Sequence, residues 1–229
     1  MAFSKEAIEA MSADYKALMA TSAELVERYV AHKFVDGRAL EFARHGFARR
    51  LQTMRRCIDK VFETLPPEKT EIPDGDDRAD AEIHIQAFVF NAVGALDNLA
   101  WICVSELGIK KESGKSRSPL QVGLSKKSFI VRDALGPELK KQLTEMDDWF
   151  EYLEEYRHAL AHRIPLYIIP AALEGDRAIV YERAETQKQS ALKANDFEKV
   201  VEMEALQRSL IVFRPLMMHS YGEKAKPMI

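Results

Sequence analysis

Between Ile83 and Ile109 the chain carries its most apolar stretch, interrupted by polar residues that include Gln86, Asn91, Asp97, Asn98 and Glu106. Apolar side chains recur there at helical spacing nearly all the way round, which predicts a helix over about 78–107 that is buried on every side. The interruptions keep it below the roughly 18 uninterrupted apolar residues of a membrane span. Such a helix needs neighbours to cover it, so the chain is constrained to a bundle with this segment at its centre.

The remaining sequence supplies those neighbours. Ser4 is placed to cap a first helix that keeps helical spacing to about Phe34. After Asp36-Gly37 a second helix is expected over about 38–65, with Phe47, Leu51, Met54, Ile58 and Phe62 on one face, ended by Pro66-Pro67. Residues 68–77 contain Pro73, Gly75 and several carboxylates and read as an exposed loop. Residues 108–132 are irregular, with seven Lys/Arg against Glu112 alone, and read as a basic loop with short helical turns. Gly136-Pro137 opens a fourth helix to about His162, stopped ahead of Pro165. Leu166–Ile169 and Ala178–Tyr181 flank Glu174-Gly175-Asp176 and read as a β-hairpin inserted over 166–182. A last helix is expected from Asn195 to about Ser220, kinked late by Pro215. The expected fold is all-α, one domain over 1–229, a bundle of about five main helices with a small β-hairpin appendage.

Composition narrows the function classes. The 229 residues hold 33 Lys+Arg and 36 Asp+Glu, a formal charge of -3, so any attraction to nucleic acid has to come from local patches. Two such patches are the loop at 108–132 and the segment from Arg38 to Lys60, with seven basic residues against Glu41 and Asp59. The plainer account of both is that long arginines solvate helix faces. Cys57 and Cys103 lie inside apolar helical pattern without metal-ligand spacing, which argues against a disulfide framework and for a reducing, cytoplasmic setting. The start, Met1 to Glu6, is charged early with no apolar run behind it, so neither a signal peptide nor a membrane anchor is expected. No glycine-rich phosphate loop, serine elbow or zinc cysteine pattern occurs, and no cofactor or metal is expected.

The densest chemistry is Arg157-His158-Ala-Leu-Ala-His162 at the end of the fourth helix. A guanidinium matches phosphate oxygens with a planar fork, and imidazoles exchange protons near neutral pH. His158 and His162, four apart, share a helix face; Arg157 and His162, five apart, are separated by roughly 140° on an ideal helix. Arginines with a histidine shortly after also occur at Arg38 and His45, Arg78 and His84, and Arg214 and His219. There Ala or Pro follows the arginine, whereas Arg157 has a polar successor and a helix-end position.

Those residues resemble the Arg-polar-x-x-x-His motif of the HEPN superfamily, helical-bundle proteins many of which are metal-independent endoribonucleases acting as dimers. The resemblance covers residues 83–165, including the helix around Leu96-Asp97-Asn98-Leu99 that packs beside the motif in many relatives. It implies that Arg157 binds phosphate, that His162 is the acid/base group, and that a homodimer supplies the second imidazole, with His158 as the in-chain alternative. RNA carries its own nucleophile, the 2′-hydroxyl, so such cleavage leaves 2′,3′-cyclic phosphate and 5′-hydroxyl ends. The competing reading is a HEPN-like bundle without catalysis that dimerises or binds a partner, such as an antitoxin or a nucleotidyltransferase, as in some relatives.

Four further features carry weight. Asp97 and Asn98 are polar groups in the most apolar helix, and either bond neighbouring backbone or water, or Asp97 holds Arg157 or a histidine. The acidic residues upstream of Arg157, Glu145 to Glu155, would repel phosphate unless they face away. Glu155-x-x-His158 has the spacing of a carboxylate-bridged metal bundle but lacks the second copy such bundles need. Trp101 and Trp149 are expected to pack rather than stack on a base.

Overall fold

A computed structural model describes residues 3–110, 118, 121–170, 172–173, 175–213, 216–221 and 224–227. Ser4 accepts a hydrogen bond from the Ala7 amide at 3.2 Å and starts α1 (Lys5–Ala31). The second expected helix is present as α2 (Gly37–Glu41), a π-helical turn (Phe42–Phe47) and α3 (Ala48–Thr64), in unbroken succession. Asp36 caps it through the amides of Arg38 and Ala39. Asp74 caps α4 (Gly75–Glu106) by accepting from the Asp77 amide at 2.7 Å. By length and composition alone α4 could cross a membrane. In the fold it is instead flanked by α3 on one side and α7 on another.

After α4 come α5 (Phe129–Ala134), α6 (Pro137–Glu145) and α7 (Asp147–His162). The single helix expected over 137–162 is thus two. It breaks at Met146, where α6 ends and Asp147 and Asp148 fill the first turn of α7, a position that favours carboxylates. Arg132 fixes that break from inside. Only 5% exposed, it donates to the backbone carbonyls of Leu124 and Leu143 and pairs with Asp147 at 2.6 Å. The loop at 121–128 is therefore seated on the start of α7. Lys111 to Arg117, the centre of the expected basic loop, lie outside the described residues.

The expected hairpin is not what forms. Tyr167–Ile168 is a short strand, β1, but residues 178–181 belong to α8 (Asp176–Lys193). The four-residue β-like run Ala178–Tyr181 is followed by twelve residues of mostly helix-forming type, and the longer signal wins. Gly175, at φ 49°, supplies the left-handed turn before α8. The partner of β1 is β2 (Met217–Tyr221), which also pairs with β3 (Lys224–Pro227), giving a three-stranded antiparallel sheet of order β1-β2-β3. The last helix, α9 (Phe197–Leu210), is correspondingly shorter than expected. Pro215 and Glu174, on which the late kink and the hairpin turn were expected, lie outside the described residues. The fold is mostly α-helical, with more helices than the expected five and a sheet that joins β1 to the distant pair β2 and β3.

Two core clusters hold the centre. Ala39, Ala43, Phe47 and Leu51 pack on Ala95 and Ile102 of α4, and Val122, Leu124, Val131 and Phe150 pack on its Ala100 and Val104. Helices α8 and α9 pack on each other and touch the rest of the protein lightly. Between α3, α4 and α7 runs an apolar trough of about 520 Å³, lined in part by Phe62, Phe88, Trp149 and Tyr152.

Candidate functional site

Asn91, Gly94 and Asn98 mark a polar line along α4, and α3 lays Arg50 across it. The Arg50 Nε donates to Asn98 Oδ1 at 3.1 Å, and a terminal nitrogen donates to Asn91 Oδ1 at 3.3 Å. Asn91 itself donates to the Ala87 carbonyl at 2.8 Å. Two glycines permit this approach. A Cβ on Gly94 would collide with the Arg50 guanidinium, and one on Gly46, in the π-helical turn, would sit 2.7 Å from Asn98.

Arg50, Asp97 and Arg157 share the wall of one hollow of about 620 Å³, closed on its other side by residues 122–128. Phe90, Val93 and Leu153 form its apolar part, and Ser125, Ser128 and Lys127 its far polar side. Arg157 Nε is buried without a hydrogen-bond partner, and no described residue bonds its guanidinium. Asp97 is reached by water through the hollow, yet surrounding protein still withdraws enough solvent to push its carboxyl above the ordinary carboxylate range. The charges of Arg157 and then Arg50 oppose that rise. Neither closes an ion pair with Asp97 among the described residues. Asp97 thus shares a hollow with Arg157 without a hydrogen bond or ion pair to it among the described residues.

The other expected site residues separate. Asn98 serves Arg50, not Arg157. His158 and His162 stand side by side on the exposed face of α7, ring centroids 4.9 Å apart at 60°. His158 lines a smaller hollow of about 300 Å³ with Arg163 and Lys126. That hollow shares Ser125, Lys127, Phe150 and Glu154 with the one containing Arg157. The ion pair between Lys127 and Glu154, at 3.0 Å, thus stands between the two. His162 lines neither. Arg157 and His162 diverge, as their five-residue spacing on a regular helix requires.

The acidic face of α7 is neutralised by cations. Asp147 pairs with Arg132, Glu151 with Lys126 at 2.8 Å, Glu154 with Lys127, and Glu155 with Arg163 at 2.7 Å. Hydrogen bonds from Lys126 and Arg132 hold Glu151 and Asp147 below the usual carboxylate range. The repulsion expected from these residues is therefore largely offset, and the described lysines of the basic loop near α7 are used in doing so. The Arg38–Lys60 segment is used similarly: Arg38 lies over Trp101 at 5.7 Å, Arg44 bonds the Val30 carbonyl, and Arg55 reaches Met19. Trp101 stacks on Phe42 and Trp149 packs edge-on to Phe150.

No group of three or more His, Cys, Asp or Glu among the described residues is arranged to hold a metal ion, and Glu155 is committed to Arg163. Arg50 was the residue not anticipated at the site. Its signal was the pair Asn91 and Asn98, two turns apart on an apolar helix with Gly94 between them. Comparison of the chain with protein-family profiles, curated proteins and solved structures yields no match.

Proposed function

We propose that this chain is a HEPN-like helical bundle that cleaves RNA as a metal-independent endoribonuclease in a cytoplasmic setting. The observation that supports this most directly is Arg157: a guanidinium with no partner among the described residues, presented to a ligand-sized hollow, one residue before an exposed imidazole pair. In this reading Arg157 binds the scissile phosphate. An imidazole takes the 2′-hydroxyl proton while the oxygen attacks phosphorus, and a second protonates the departing 5′-oxygen as the P–O bond breaks. His162 provides one imidazole. The other comes from His162 of a second copy in a twofold dimer, or from His158.

The divergence of Arg157 and His162 within one chain favours a second reading, a non-catalytic bundle that dimerises or binds a partner such as an antitoxin or a nucleotidyltransferase-like protein. One experiment separates the two. Purified protein is incubated with mixed RNA in the presence of a chelator, alongside Arg157→Ala, His162→Ala and His158→Ala, and product ends are mapped. The nuclease reading expects 2′,3′-cyclic phosphate ends and a loss of about 10²-fold or more on removing His162 or Arg157. Cleavage indifferent to both substitutions, or no cleavage at all, leaves the second reading.

A further inference from the structure

Three polar groups converge on the larger hollow with hydrogen-bonding capacity that the described protein does not use. They are the Arg157 guanidinium, the Asp97 carboxylate, and the end of Arg50 beyond its bonds to the two asparagines. A buried polar atom normally finds a partner, so the Arg157 Nε, open on one cavity with the water-reached Asp97 and the end of Arg50 beside it, marks a ligand site. At about 620 Å³ the hollow falls inside the roughly 300–1,000 Å³ range of small-ligand pockets. Its charged lining is Arg50, Arg157 and Lys127 against Asp97 and Glu154, a surplus of one cation that suits an anion. Glu154 is already matched by Lys127, so of the two carboxylates lining the hollow Asp97 is the one left to Arg50 and Arg157.

The ligand must then offer three things: anionic oxygens for two guanidiniums, a donor for one carboxylate, and a flat apolar body for Phe90, Val93 and Leu153. A ribonucleotide has all three. Its phosphate meets the arginines' planar forks, a ribose hydroxyl donates to Asp97, and its base supplies the apolar face. Inorganic phosphate satisfies only the first requirement, and a 2′-deoxynucleotide lacks one of the two ribose hydroxyls. We propose that the hollow between α4, α7 and residues 122–128 binds one ribonucleotide unit, with Arg50 and Arg157 on its phosphate and Asp97 on its ribose.

The inference deepens the nuclease reading, because a nucleotide seated there brings its phosphate to Arg157; binding is nevertheless measurable without cleavage. The probes are the four ribonucleoside 5′-monophosphates, their 2′-deoxy counterparts, inorganic phosphate and a short oligoribonucleotide, titrated calorimetrically into the full chain. At least one ribonucleotide should bind, free or within the strand. Arg157→Gln should weaken it tenfold or more, and Asp97→Asn should shrink the ribo-over-deoxy preference. Arg50→Lys, which keeps the charge, provides a second test should other Arg50 variants fail to fold, and is expected to weaken binding severalfold. Matching thermal melts show that each variant is folded. The proposal is overturned by no binding up to millimolar concentration, by binding that Arg157→Gln leaves unchanged, or by phosphate binding as tightly as every nucleotide. Nucleotide binding without RNA cleavage would retain this site and remove the nuclease; cleavage with binding indifferent to Arg157→Gln would do the opposite.

Discussion

The Arg50 guanidinium occupies the space that a side chain on Gly94 would need, its Nε 2.7 Å from where a Cβ would sit. The guanidinium is the mobile end of its side chain, but Asn98 and Asn91 hold it there, so it cannot retreat without giving up both bonds. Gly94→Ala should therefore lower stability by about 1–3 kcal/mol in urea denaturation, despite the better helix propensity of alanine. Pairing it with Arg50→Met, which removes the colliding group, should make the double variant less damaged than the sum of the singles. Strict additivity would mean that Gly94 is not there to admit Arg50.

Arg132 is the inner fastening of the loop that closes the hollow. It is buried, bonded to two backbone carbonyls and paired with Asp147. Arg132→Ala would strand a carboxylate and two carbonyls together, at a cost of about 3–5 kcal/mol. Arg132→Lys keeps the charge but not the fork and should recover part of that loss. If chemical denaturation shows a loss below about 1 kcal/mol, this contact does not anchor the loop.

Much of the helical plan was legible because its signals are local. Ser4, Asp36-Gly37, Pro66-Pro67 and Gly136-Pro137 all sit where helices start or stop. The partner of β1 was not legible: Met217 and Met218 lie some fifty residues further along, and no local pattern names them. Instead the nearer β-branched run at Ile179-Val180 drew the strand assignment, although α8 had the longer helical signal behind it. At the site, helix spacing put His158 beside His162, as found, and set Arg157 roughly 140° from His162, against the convergence that a joint catalytic pair requires. Asp97 stood out as a polar group in an apolar helix, and it lines the same hollow as Arg157 without bonding it among the described residues. Arg50 was missed because its partners lie more than forty positions away, on another helix.

Asp97 is expected to make stability depend on pH in an unusual direction for a carboxylate near two arginines. Withdrawal from solvent raises its folded-state pKa, more than Arg157 and Arg50 lower it. The folded form therefore holds the proton more tightly than the unfolded form, and the wild type loses stability as pH rises from the unfolded value, about 3.9, through the raised folded one. Asp97→Asn removes that dependence. The variant should equal the wild type at low pH and gain on it across that window, levelling off above it. Denaturation midpoints of the pair measured from pH 3 to 8 check this; a variant that falls behind the wild type as pH rises would mean that the arginines dominate.

The α8–α9 pair should loosen in acid ahead of the bundle. Glu185 is held down to about 2 by hydrogen bonds from Lys188, Gln189 and Gln207, and Gln207 is buried between the two helices. A carboxyl whose folded pKa is depressed contributes stability above its unfolded pKa, near 4.3, and loses that contribution as pH falls toward 2. Since α8 and α9 lean on each other more than on the rest of the fold, the loss should stay local. Hydrogen exchange of α8 and α9 amides, corrected for intrinsic rates, should quicken between pH 4.5 and 2 while α4 amides hold their protection. Glu185→Gln keeps an acceptor but no charge, so its α8 and α9 amides should exchange faster than those of the wild type at pH 5 and show little further change on acidification. Superimposable profiles for the two proteins would show that Glu185 does not fasten the pair.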